Sequence, residues 1–227
     1  IIFSQSFSII FTIIIIIIRF TIYLLQKLLP RKSLSEKYGL NSWAVITGAS
    51  DGIGKGFAHV LAKSCFKVCL IARNPEKLET VKEEILKASP NTEVKIVIGD
   101  FKKSLEPGFY DKIYDQIKNL DVSILINNVG VGNTGFFHKI DDEKINDVIL
   151  VNHFPQYFMT KKLIPNLLNR PKNLKSGIVN ISSINGIRPF PYVCMYSSSK
   201  AYNDILSRSL NVEFKDRIDI LSLRPGY

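Results

Sequence analysis

The sequence predicts an α/β protein, a doubly wound parallel sheet preceded by an N-terminal hydrophobic membrane helix. Three observations carry that reading. After Trp43, apolar runs of strand length alternate with stretches of helical period, a glycine-rich turn follows the first of those runs, and residues 1–18 contain no charge.

The N-terminal run, IIFSQSFSIIFTIIIIII, is uncharged, and its apolar character continues past Arg19 to Leu25. A bilayer core of about 30 Å takes roughly 20 apolar residues as a helix, so residues 1–29 read as a membrane anchor. Arg19 lies near one end, where it can snorkel to the headgroups. Lys27, Arg31 and Lys32 follow, which places the rest of the chain on the cytosolic side by the positive-inside rule. Six consecutive isoleucines, Ile13 to Ile18, also have high strand propensity, so a buried β-rich or helical segment is the alternative. Residues 30–41, polar and basic, read as a linker, and 42–227 as one domain.

In that domain WAVIT, KVCLI, VKIVI, ILI, GIVNIS and IDILSL read as strands, and 53–64, 75–88, 109–119, 142–168 and 197–214 as helices. Near-continuous Val/Ile/Leu strands separated by helices imply a parallel sheet covered on both faces. Pro155 lies inside the 142–168 run and lacks the N–H that Val151 needs for its helical bond, so a kink is expected there. The sequence starts at Ile1 without Met and stops at Tyr227 directly after a strand-like run, so a fragment at both ends is expected, with C-terminal elements missing.

Composition narrows the function. A chain of 227 residues accommodates one α/β domain with a substantial core, and 46% hydrophobic with 22% charged residues exclude a disordered or collagen-like polymer. The net charge of +10 suits nucleic acid or an anionic membrane surface, and no nucleic-acid-binding motif accompanies it. Cys65, Cys69 and Cys194 form no CxxC pair and no zinc-finger spacing, so they read as reduced thiols of a cytosol-facing protein. His59, His138 and His153 lack partners at metal-ligand spacing, and no metal site is expected. Lys102-Lys103 and Lys161-Lys162, with Arg170 and Lys172, read as solvated faces; the alternative is contact with coenzyme A phosphates or the bilayer surface.

The turn Thr47-Gly48-Ala49-Ser50-Asp51-Gly52-Ile53-Gly54 sits between the first strand and a helix, the context of a Rossmann-type dinucleotide site. Gly48 permits the sharp turn, Gly52 lets a pyrophosphate approach the backbone, and Gly54 permits close helix–sheet contact. The helix N-terminus adds free N–H groups and partial positive charge. At the end of the second strand, where an acidic residue would bind the ribose 2′-hydroxyl of NAD, the chain has Ala72 and Arg73. A guanidinium there suits the 2′-phosphate of NADP.

The Thr47–Gly54 run, Asn127-Asn128-Val129-Gly130, Ser182-Ser183 and Tyr196-Ser197-Ser198-Ser199-Lys200, in that order, resemble the short-chain dehydrogenase/reductases over about residues 43–227. Within them WAVITGASDGIGKGFA, INNVG, IVNISS and LRPGY look most like the membrane-bound very-long-chain 3-oxoacyl-CoA reductases. The 17-beta-hydroxysteroid dehydrogenases of types 3 and 12 fit about as well. The resemblance implies a catalytic set of Asn152, Ser183, Tyr196 and Lys200. It implies cofactor contacts from Gly48, Ser50, Asp51, Gly52, Ile53, Gly54, Arg73, Asp100, Asn127, Gly130, Tyr196, Lys200 and Pro225.

Spacing supports the central pair, since residues four apart on a helix share a face. A free tyrosine has a pKa of about 10, and an ammonium nearby favours its phenolate, so Tyr196 can act as general acid toward a ketone. Ser183 would hold the carbonyl oxygen; on its own, a strand-end serine is as readily a cap. Asn152 would support the proton relay. The expected activity is NADPH-dependent reduction of a lipophilic ketone by an enzyme of the endoplasmic reticulum membrane. A long-chain 3-oxoacyl-CoA of fatty-acid elongation is the first substrate class and a 17-ketosteroid the second. A non-catalytic nucleotide-binding membrane scaffold is the reading of another class, and self-association is left open.

Overall fold

The computed structural model describes residues 12–24 and 32–226. It divides into two units, Ile1–Ser33 and Leu34–Tyr227. In the first, residues 12–24 form a helix, α1. At 1.5 Å per residue it is about 20 Å long, and among the described residues no helix is long and apolar enough to cross a membrane. The remainder of the expected anchor, 1–11 and 25–29, lies outside the described residues.

The second unit opens with α2 (Leu34–Tyr38), inside the expected linker, and continues β1 (Trp43–Thr47), α3 (Gly52–Lys63), β2 (Lys67–Ala72), α4 (Pro75–Ala88), β3 (Val94–Ile98), α5 (Phe109–Ile117) and β4 (Val122–Asn127). Then come α6 (Asp142–Asn152), α7 (Phe154–Leu168), β5 (Ser176–Ile181), α8 (Cys194–Phe214) and β6 (Ile218–Leu223). All six strands pair in parallel in the order β3-β2-β1-β4-β5-β6. The order reverses between β1 and β4, and such a switch point leaves a crevice outside the carboxyl ends of the strands.

Both faces of the sheet are covered, which is why its central strands are buried and largely apolar. Alternate residues of β1 and β2 enter opposite cores, Ala44, Ile46, Val68 and Leu70 with Leu61, Leu78 and Ile85, and Val45, Cys69 and Ile71 with Ile113, Met159 and Leu163. Every residue of β4 is buried. Cys69 belongs to the second core, and burial pushes its thiol up to about 12.

The 142–168 run is two helices rather than one. It breaks at His153, with Pro155 in the first turn of α7. The proline thus starts a second helix at little cost, because an N–H in that turn has no helical partner anyway. Helix α8 begins at Cys194, three residues before the expected start, so Tyr196 lies within its first turn.

Arg170 corrects a reading from composition. It is a buried tie rather than part of a solvated face, only 6% exposed. Its guanidinium donates to both carboxylate oxygens of Asp121 (2.8 and 3.2 Å) and to the carbonyls of Tyr38 (2.6 Å) and Lys175 (3.0 Å). A planar fork of donors can join three chain segments at once. Beside it Gly39 adopts φ +103, and a Cβ there would lie 2.6 Å from the guanidinium. Tyr38 is fixed further by donating to Asp219 at 3.0 Å. Arg170→Met should therefore lower the unfolding free energy by about 3 kcal/mol, since buried carbonyls lose their donor. Guanidinium denaturation measures this, and a loss below about 0.5 kcal/mol would reduce Arg170 to an ordinary surface pair.

Candidate active site

The crevice at the switch point is built from two turns held together. After β1 the chain turns through Gly48 (φ +63) and Gly52 (φ +53) into α3. Asp51 caps that helix, its Oδ1 accepting from the Gly52 N–H at 2.8 Å. From the end of β4, Asn128 Nδ2 donates to the carbonyls of Thr47 and Gly48 at 3.0 Å each. Thr47 Oγ1 accepts from the N–H groups of Asn128 (3.0 Å) and Val129 (3.2 Å). A Cβ on Gly54 would fall onto the Gly48 carbonyl oxygen and the Asn128 amide, so only glycine fits there.

Neighbouring Asn127 has a different task. Its Nδ2 donates to Thr160 Oγ1 (2.9 Å) and Asn180 Oδ1 (2.8 Å), a buried link from β4 to α7 and β5. Adjacent strand residues face opposite ways, so only one of the two asparagines can reach the glycine turn. The sequence reading chose Asn127 for the cofactor; the geometry puts Asn128 at the loop.

Between these turns and α8 lies a cleft of about 680 Å³. Of the residues expected at a site, Gly48, Ser50, Asp51, Gly52, Ile53, Arg73, Asp100, Gly130, Tyr196 and Lys200 line it. Gly54, Asn127, Asn152, Ser183 and Pro225 are not among its lining residues. Sequence reasoning missed Val131, Gly132 and Asn133, which also line it. Both side-chain amide atoms of Asn133 are buried without a partner. Its loop follows β4 directly, and that position was the only signal for it.

At the far end Lys200 Nζ lies 5.6 Å from the centre of the Tyr196 ring. The lysine is 4% exposed and donates to the Ile181 carbonyl at 2.8 Å. Burial drags its ammonium down to about 8. Asn152 holds this end together. Its Oδ1 accepts from the Val131 N–H (2.8 Å), and its Nδ2 donates to the Val131 carbonyl (2.9 Å) and to Ser199 Oγ (2.8 Å). Ser199 in turn donates to the Tyr196 carbonyl at 2.7 Å. Gly130 passes so close that a Cβ would sit 3.3 Å from Asn152 Oδ1 and 3.5 Å from Lys200 Nζ. The break after α6 places Asn152 at a helix end, and Val151, whose carbonyl gets no N–H from Pro155, lines the cleft.

The two serines after β5 divide their work. Ser182 donates to the Lys200 carbonyl at 2.7 Å, and a Cβ on Gly186 would lie 2.7 Å from the carbonyl carbon of the same residue. Ser183 Oγ accepts from the Asn185 N–H at 3.2 Å, capping a short 3-10 turn. Pro225 accepts from the Ile184 N–H at 3.1 Å, which brings the last described residues beside that turn.

A family profile described as short chain dehydrogenase matches residues 42–227. The chain belongs to the short chain dehydrogenase family. It is 39% identical over 194 residues to a very-long-chain 3-oxoacyl-CoA reductase of Anas platyrhynchos, covering 83% of this chain and 60% of that one. It is 36% identical over 212 residues to 17-beta-hydroxysteroid dehydrogenase type 3 of Rattus norvegicus (92% and 67%). The human inactive hydroxysteroid dehydrogenase-like protein 1 also matches, at 36% over 209 residues (91% and 61%). The chain thus spans about 60% of the length of several curated relatives. Among solved structures, a short-chain dehydrogenase from Sphingobium yanoikuyae in complex with NADPH superposes with TM-score 0.73 at 26% identity, covering 81% of this chain and 70% of that one. An alcohol dehydrogenase from Thermococcus sibiricus complexed with 5-hydroxy-NADP gives 0.70 at 28% (82% and 76%). The cleft fits a dinucleotide at the turn, because Gly52 lines it and a Cβ there would meet nothing within 4 Å, which leaves its backbone open to phosphates.

The buried Lys200 ammonium yields a test of sign. Its folded pKa is lowered, so the folded protein is penalised below pH 8 and recovers between about 8 and 10.5, where the unfolded chain still holds the proton. Relative to Lys200→Met, the wild type should gain up to roughly 3 kcal/mol of unfolding free energy across that window. Parallel pH profiles would show that burial does not burden the ammonium. Gly54→Ala should displace the glycine turn and weaken nicotinamide dinucleotide binding at least about tenfold, as a fluorescence titration would show. Unchanged affinity would mean that the turn relaxes freely.

Proposed function

We propose that this protein is an NADPH-dependent carbonyl reductase acting on a lipophilic ketone, foremost a long-chain 3-oxoacyl-CoA in fatty-acid elongation. The observation that carries the reading is the Tyr196/Lys200 pair at one end of a cleft whose other end is a glycine turn and Arg73. Arg73 is exposed and makes no ion pair with any described residue, which leaves its guanidinium available to a 2′-phosphate. The bound nicotinamide would supply the hydride.

Every other part of the reaction falls to this chain. Tyr196 gives its phenolic proton to the carbonyl oxygen as negative charge develops there. Lys200 faces the Tyr196 ring, with its Nζ 5.6 Å from the ring centre. Ser183 turns its hydroxyl from the 3-10 cap to the substrate oxygen. Asn152 ties the Val131 backbone to Ser199 of α8, and the Val151 carbonyl, which Pro155 cannot serve, is where a water of the relay would bind. Misplacing such groups by a small distance is costly to rate, which gives the buried network a function.

The uncharged N-terminal run, helical at 12–24, and the basic Lys27, Arg31 and Lys32 support a tether to the endoplasmic reticulum membrane with the catalytic domain in the cytosol. A tether suits a substrate that partitions into lipid. The steroid reading rests on the likeness to the rat type 3 enzyme. It employs the same residues on a different ketone.

Consumption of reduced cofactor by the full-length protein distinguishes these readings. Turnover of a long-chain 3-oxoacyl-CoA is expected, and clear 17-ketosteroid reduction without it would select the steroid reading. Tyr196→Phe should lower kcat about a thousandfold while binding of the dinucleotide persists. Undiminished ketone reduction by that variant would refute the proposed chemistry, and no turnover of any ketone by the wild type would favour the scaffold.

A further inference from the structure

The adjacent lysines Lys102 and Lys103 separate in the folded chain. Lys103 turns out to Glu106 at 3.7 Å, an exposed pair one helical step away. Lys102 instead lines the cleft, at the same end as Arg73 and Asp100. The 3-10 turn Phe101–Lys103 fixes it there, since Asp100 caps that turn by accepting from the Lys102 N–H at 3.2 Å. Its ammonium reaches Asp147 of α6 at 2.5 Å.

Two cations therefore share one end of the cleft. The bond to Asp147 raises the lysine's pKa, the Glu143 carboxylate adds to that, and the Arg73 charge opposes it. Like charges held side by side are unfavourable unless an anion comes between them. Of the cleft's carboxylates, Asp51 is already engaged by the Gly52 N–H and lies 3.7 Å from Lys77, and Asp100 is engaged by the backbone of Lys102. Asp147 does not line the cleft; it is the counter-ion that holds Lys102 at its edge.

Resting on the NADPH reading above, we infer that Lys102 is a second recognition group for the cofactor's 2′-phosphate, and that Asp147 is the counter-ion it leaves when that phosphate binds. A dianionic phosphate draws the ammonium from a carboxylate of single charge, and Arg73 and Lys102 then grip it from two sides. Without the 2′-phosphate, Lys102 stays with Asp147 and adds nothing to binding.

Calorimetric binding of adenosine 2′,5′-bisphosphate and of adenosine 5′-phosphate to the full-length protein isolates the group in question, because the two probes differ only in the 2′-phosphate. The wild type should prefer the bisphosphate, and Lys102→Gln should shrink the preference about tenfold by weakening that probe alone. Lys102→Arg should restore most of it. Asp147→Asn should strengthen bisphosphate binding several-fold at low salt and leave the monophosphate unchanged. If Arg73→Gln abolishes the preference and Lys102→Gln leaves it intact, the inference fails while the NADPH reading stands. Absence of any preference in the wild type would overturn both, and equal loss of both probes in Lys102→Gln would make the lysine a purely structural group.

Discussion

Two backbone turns meet at the switch point of the sheet with no room for a side chain between them, and the rest of the site depends on that approach. The turn after β1 and the end of β4 are joined by Asn128 and Thr47, and Gly54 is the residue that allows α3 to start against them. Because the sheet is parallel, all its strands deliver their carboxyl ends to this one edge. The close approach therefore fixes the glycine turn, Gly130 and the α8 side of the cleft relative to one another. A flaw at Gly54 would be felt at Lys200, through Asn128 and Gly130.

The other end of the cleft is held by polar groups that have been taken out of water. Asn152, Ser199 and Lys200 are all buried, and together they tie the loop after β4 to α8 and β5. Buried polar groups are tolerable when each finds a partner, and then they specify geometry more sharply than apolar packing does. Asn152 and Ser199 meet that condition. Lys200 meets it with one bond for three donors, and the residual penalty appears as its lowered pKa.

Most of the fold was legible because runs rich in Val, Ile and Leu mark the strands of a covered parallel sheet, even where an edge strand admits Lys95 or Asp219. WAVIT, VKIVI and IDILSL accordingly coincide with β1, β3 and β6. Pro155 was legible as a break, although not as the start of a second helix, because a missing N–H is disruptive inside a helix and harmless in its first turn. Less visible were properties set by facing direction. Nothing local says which of Asn127 and Asn128 points to the glycine turn, or which of Lys102 and Lys103 points to the cleft. Arg170 looked like a surface cation because its partners, Tyr38, Asp121 and Lys175, come from three separate segments. Ser183 is on the expected strand end, yet its hydroxyl is occupied by a local cap. Short-range hydrogen bonds of this kind form wherever a serine meets a free N–H, and spacing alone does not register them.

Family membership leaves catalysis open, since two matching relatives bear the name inactive and a fold hosts sites rather than guarantees them. A nucleotide binder needs the glycine turn, the α3 N-terminus and a cation near the ribose, all at the opposite end of the cleft from Lys200. At position 200 a methionine would fill the same space without a buried charge, and the Ile181 carbonyl could be served by a weaker donor or by water. A lysine at that position, its Nζ 5.6 Å from the centre of the Tyr196 ring, carries a buried charge that the phosphates of a dinucleotide do not call for. Strain of that sort is typical of groups that take part in a reaction. The burial of Lys200 beside Tyr196 therefore supports the reductase reading over the scaffold.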